Sequence, residues 1–205
     1  MRYLIISIFF IAVSCTSYVK KKKYDNSPHH TITSITNPYF SDVSKDYVYK
    51  AKIKVYSKSF SGIFIVKKLG KHNHRVVFTT EMGSKIFDFS FYNDEFKVNY
   101  VLEELNKKIL LNILEKDFRV LVRESEFVIG EFEKMNSSLY KTQILNNTYY
   151  YEFSDGNNLT GIYRVSNSKE KVQFLFSDIH EVTAKNIQIL LNISDEYVFD
   201  YPQDA

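Results

Sequence analysis

The 205-residue chain has one cysteine, Cys15, and no tryptophan. A single thiol cannot close a disulfide within the chain or build a cysteine-rich metal site. The formal charge of +3 is too small to argue for a nucleic-acid partner. No Gly-rich phosphate loop, G-x-S-x-G elbow or H-E-x-x-H pair occurs, and the carboxylates Glu81, Asp88 and Asp117 are too scattered to suggest glycosidic chemistry. They read as surface or hydrogen-bonded groups. His72 and His74 would share a face of a strand and could offer two metal ligands; with no third ligand at a linked spacing, they read as the polar flank of a turn. The triplets beginning at Asn136, Asn146, Asn158 and Asn192 match the glycosylation pattern by chance in an asparagine-rich chain. Neither catalysis nor a cofactor is expected.

What is present begins with a period of two. In Asp46 to Leu102, Tyr47, Tyr49, Ala51, Ile53 and Val55 alternate with Lys50, Lys52 and Lys54, which predicts a half-buried strand. A turn is expected at Lys58-Ser59. Phe60 to Lys67 is apolar on both sides and should be more enclosed. Leu69-Gly70-Lys71, Met82-Gly83-Ser84 and Asn93-Asp94 supply turns around three further runs, His72 to Glu81, Lys85 to Phe91 and Glu95 to Val101. The period then changes: Leu110, Leu114, Asp117 and Leu121 recur at helical spacing from a cap at Asn106, with Lys107, Lys108, Glu115, Lys116 and Arg119 outside. Glu124 to Ser138 is open between a short helix and a loop lid. Five more strands are expected at 139–145, 147–153, 159–165, 171–176 and 186–193. The fold class is mainly β (α+β): an unclosed antiparallel half-barrel with one or two covering helices.

The amino terminus has the parts of a secretory signal: Met1-Arg2, the apolar run Leu4 to Val13, and then Ser14-Cys15. At about ten residues, this run is shorter than the roughly 20 a spanning helix needs. Ala12-Val13-Ser14-Cys15 resembles the lipobox of bacterial lipoproteins, with Ala12 where leucine is usual; alternatives are a plain cleavage site or an uncleaved anchor. The resemblance implies a diacylglycerol-modified Cys15 and, with Thr16 following, an outer-membrane destination in a Gram-negative envelope, the domain facing the periplasm. The domains expected are a signal over 1–14, a flexible linker over 15–45, one domain over 46–193 and a tail over 194–205. Lys20 to Lys23 could attract anionic headgroups or simply be a solvated spacer.

The strand pair Tyr49 to Val55 and Ser61 to Lys67, then Arg75 to Phe78 and the late strand ending Ile187 to Leu191, together resemble the LolA/LolB-like family of lipoprotein carriers and acceptors. That resemblance implies a cavity for a hydrophobic ligand, an acyl chain or a lipidated protein, lined here by Ile53, Val55, Phe64, Val66, Phe78, Phe87, Phe89 and Phe91. The alternative is a non-catalytic structural or interaction lipoprotein, its barrel filled by its own side chains, which docks another envelope protein. A monomer is expected, with the membrane as partner through the lipid anchor.

Overall fold

The computed structural model describes residues 17–27, 32–55, 58–154, 157–191 and 196–200. The signal segment, Cys15 and the side chain of Val55 lie outside the described parts. In chain order the elements are α1 (Tyr18–Lys21), β1 (Asp25–Asn26), β2 (Ser34–Thr36), β3 (Asp46–Val55), β4 (Lys58–Gly70), β5 (Asn73–Thr79), β6 (Lys85–Tyr92), β7 (Glu95–Val101), α2 (Lys108–Val122), β8 (Ser125–Phe127), β9 (Gly130–Lys134), β10 (Ser137–Ile144), β11 (Asn147–Ser154), β12 (Asn158–Ser166), β13 (Lys169–His180), β14 (Thr183–Leu191) and β15 (Glu196–Asp200). Among the described residues, thirteen strands form one sheet in the order β1-β9-β10-β11-β12-β13-β14-β15-β3-β4-β5-β6-β7. Every pairing is antiparallel, and the edges β1 and β7 do not meet, so the expected unclosed sheet with covering helix holds. Lys58 and Ser59, expected in a turn, belong instead to β4.

The alternation of β3 works as expected: Tyr47, Tyr49, Ala51 and Ile53 are buried and their neighbours Lys50, Lys52 and Lys54 exposed. On β4 only one face is enclosed. Phe64 and Val66 are fully buried, whereas Ile63 and Ile65 are half-buried.

Three expectations need correction. The tail over 194–205 contains β15, which pairs with β14 through Ile187↔Phe199 and with β3 through Ala51↔Phe199. This strand joins the early and late meanders into one sheet. Its inward side chain, Phe199, is fully buried with its ring centroid 4.3 Å from that of Phe64. The supposed linker over 15–45 is largely part of the fold. Ile35, Tyr39 and Phe40 lie in the main core, and the Tyr39 hydroxyl donates to the Leu159 carbonyl at 2.6 Å. Tyr18, Val19 and Tyr24 form a second core with Leu139, Tyr150, Tyr163 and Val165 on the outer face of the late strands. Finally, the undecided segment 124–138 is neither helix nor lid: β8 pairs with β2, and β9 joins the large sheet.

Helix α2 runs unbroken through Asp117 and starts after Lys107, which gives no side-chain cap. No helix among the described residues is long and apolar enough to cross a membrane.

Because Phe199 is the inward anchor of the joining strand, Phe199→Ala should cost about 3–5 kcal/mol. Urea denaturation measures this; a loss below about 1 kcal/mol would mean that β15 is dispensable to the sheet.

Candidate functional site

The concave face has an aromatic half and a polar half, and α2 lies across both. Over the aromatic half, the Phe118 ring stands 5.3 Å from Phe64, 5.4 Å from Phe87 and 6.4 Å from Phe89, centroid to centroid. Phe87 and Phe89 stack at 4.6 Å, and Phe78 leans on Phe87 at 5.4 Å. Of the eight residues expected to line a cavity, Ile53, Phe64, Val66, Phe78, Phe87, Phe89 and Phe91 are brought together and are all buried in the main core. They belong to one buried cluster, in which Phe64, Phe87 and Phe89 meet Phe118 of the helix. Phe91 also borders a cavity described below.

Over the polar half, α2 buries charge. Asp117 is 1% exposed and neither of its oxygens receives a hydrogen bond among the described residues; the guanidinium of Arg164 on β12 is 3.8 Å away. Burial outweighs that attraction and pushes the Asp117 carboxyl up to about 7. Thr142 and Tyr151, cross-strand neighbours of Tyr149 and Ile162, also have buried oxygens without a hydrogen-bond partner among the described residues. Burial raises the phenols of Tyr149 and Tyr151 well above their ordinary range. Arg119, expected on the outside, is 3% exposed: it donates to Glu115 at 2.7 Å and to the Asn93 carbonyl at 3.1 Å. Its guanidinium also lies 5.8 Å from the centre of the Phe91 ring. Asp117 falls at the helical spacing of Leu110, Leu114 and Leu121, so the apolar stripe itself was the signal of its burial. Arg164 and Tyr149 carried no such signal.

At the end of the sheet formed by the β4–β5 and β6–β7 hairpins there is a cavity of about 180 Å³, lined by His72, His74, Asn93, Arg119, Arg123 and Glu124 among others. Its charges are committed to one another. Glu124 accepts from Lys68 at 2.9 Å and from the His72 backbone at 3.1 Å, while Arg123 pairs with Asp94 at 2.7 Å and stands against Glu126. The two histidines differ. His72 sits in the turn with φ of 51°, whereas His74 is 2% exposed, bonds the Phe40 carbonyl at 3.0 Å and is held below its usual range by burial. No cluster of three metal-ligating side chains occurs among the described residues.

Of the other carboxylates, Glu81 is exposed. Asp88 is a hydrogen-bond hub on the outer face. It accepts two bonds from Arg75, at 2.9 and 2.6 Å, and others from Lys85 and Asn99, and the Arg75 bonds lead in holding it down at about 2.

No protein-family model matches the chain, and no curated protein matches it. Among solved structures it is similar to a LolA superfamily protein from Nitrosomonas europaea, at 10% identity and a TM-score of 0.46, over 77% of this chain and 83% of that one.

The buried Asp117 sets a pH dependence. Its folded value near 7 exceeds the ordinary 3.8, so the folded state holds the proton more tightly and stability falls as pH rises between those values. A single group gives a slope of at most about 1.4 kcal/mol per pH unit. Asp117→Asn should remove one group's share of that slope in urea titrations; an unchanged slope would mean that Asp117 is not buried as an acid.

Proposed function

We propose that this protein is a lipid-anchored, non-catalytic envelope carrier that holds a hydrophobic ligand, an acyl chain or the lipid of another protein, on the aromatic half of its concave face after α2 is displaced. The observation that carries this reading is the mismatch under α2. Its aromatic contacts are good, but the same helix buries Asp117 without a hydrogen bond beside an Arg164 that is not at bonding distance. A buried carboxyl without a hydrogen bond costs about 1–3 kcal/mol, and lifting the helix restores it to water. The surface then uncovered, Phe64, Phe78, Phe87 and Phe89 with Ile53 and Val66, is an apolar trough. Each methylene of a ligand buried there contributes about 0.8 kcal/mol, enough to offset the contacts that Phe118 gives up.

The second reading, a self-filled barrel that docks another envelope protein, is favoured by the complete burial of Phe64, Phe78 and Phe89. The two readings differ in what the interior does when offered a ligand.

In the carrier reading, detergent-free protein takes up a fluorescent fatty acid. Phe118→Ala, which empties the place of the helix's ring, should tighten that binding roughly tenfold, or about 1.4 kcal/mol. No uptake by either protein would sink the carrier and leave the docking scaffold. The anchor is tested separately: Cys15→Ser expressed in a Gram-negative host should lose the mass of a diacylglycerol and leave the membrane fraction of mature protein, and an unchanged mass would remove lipidation from the account.

A further inference from the structure

The strap that follows the membrane-directed segment is bonded to the sheet from its first described residues. Ser17 caps α1, and the Tyr18 hydroxyl donates to Glu170 at 2.8 Å. The Tyr24 hydroxyl donates to Glu152 at 2.6 Å, and the Tyr163 hydroxyl donates to the same carboxylate. Lys22 pairs with Glu170 at 2.7 Å and lies 5.1 Å from the centre of the Tyr163 ring. The Tyr18 ring packs at 4.6 Å on Tyr150. Cys15 is therefore two residues from a fixed point, a reach of about 7 Å. A membrane attachment there cannot let the domain tumble freely.

The strap also has a direction. Lys21 donates to the Ser168 carbonyl at 3.2 Å, at the β12–β13 hairpin. The chain then climbs to pair Asp25 with Glu133, beside the β9–β10 hairpin. Antiparallel alternation through β13, β14, β15, β3 and β4 places the β4–β5 hairpin, with its cavity at His72, at the opposite end of the sheet from Ser168. The entry end is basic: Lys20, Lys21 and Lys23 of the strap and Lys169 and Lys171 of β13 are exposed. Lys20, Lys23, Lys169 and Lys171 have no ion-pair partner among the described residues. The acid between them, Glu170, is already neutralised by Lys22.

We infer that the protein stands end-on upon an anionic bilayer, with the corner made by α1 and the β12–β13 hairpin against the headgroups and the His72 end pointing away. This rests on reading residues 1–15 as a membrane attachment, but not on any ligand in the barrel. The short tether brings the corner within reach of the surface, and its lysines gain from the negative surface potential, which falls off within a Debye length.

The full chain, reconstituted in phosphatidylethanolamine–phosphatidylglycerol vesicles, tests this. A fluorophore is attached at position 166 or, separately, at position 71 through an encoded azide side chain, which leaves Cys15 untouched, and is read against a headgroup-bound quencher. Quenching several-fold stronger at 166 than at 71 is expected. The combined Lys20→Glu, Lys23→Glu, Lys169→Glu and Lys171→Glu substitutions should erase the difference, and phosphatidylcholine vesicles should reduce it with no substitution at all. Equal quenching at the two positions, or a difference indifferent to lipid charge, overturns the orientation while leaving the carrier reading intact. A chain that does not sediment with vesicles overturns the attachment and this inference together.

Discussion

The structure depends on how α2 is seated. A sheet of thirteen strands that does not close has a concave face to hide, and among the described residues one long helix hides most of it. Phe118 does the apolar part of that task, filling the space between Phe64, Phe87 and Phe89. The residues on either side of it, Asp117 and Arg119, are then forced inward as well, because a helix that buries a broad stripe on a curved sheet cannot keep both flanks in water. Two nitrogens of Arg119 find acceptors there in Glu115 and Asn93, while its Nε and both oxygens of Asp117 have no hydrogen-bond partner among the described residues. The cost falls in the middle of the helix and offsets part of what the aromatic contacts of α2 contribute.

The remaining contacts hold the frame rather than the plug. Asn37 donates to the Leu121 carbonyl at 2.9 Å, and Tyr39 and Phe40 enter the core beside it, so the chain before β3 pins the carboxyl end of α2. At the amino end, Lys107 gives the helix no side-chain cap. Displacement would thus start at Lys108 and pivot near Leu121. On the outside of the sheet the strap over 17–27 stiffens the late strands through Tyr24, Tyr163 and Glu152. The same carboxylate keeps both phenols protonated, since burial and that acceptor raise Tyr24 to about 12. A frame strapped on its convex side can let its concave side open without losing the sheet.

Much of this was legible in the residues. The five strands of 46–101 follow from alternation and turn chemistry, because local signals and burial agree there. The helix followed from its apolar period. What was not legible has physical reasons. β15 offers only Tyr197, Val198 and Phe199 between acidic neighbours, and its stability comes from two partners far away in sequence. The strap over 17–27 has no period because it is held by isolated tyrosines that reach carboxylates more than a hundred residues on. The burial of Arg119 broke the rule that charge faces water, and only its acceptors on Glu115 and Asn93 allow it. Seven of the expected cavity residues are buried together in the main core, and alternation cannot distinguish a lining from a filled core.

Hydrogen–deuterium exchange across the native protein tests the central claim, that α2 is a plug that opens on its own. If it is, the amides of 108–120 exchange by local opening well ahead of those of β3 to β6, and a bound fatty acid widens that gap while the strands stay protected. If α2 and the strands instead exchange together, at the rate of global unfolding and regardless of ligand, the helix is an integral part of a filled core and the account of a displaceable plug is wrong.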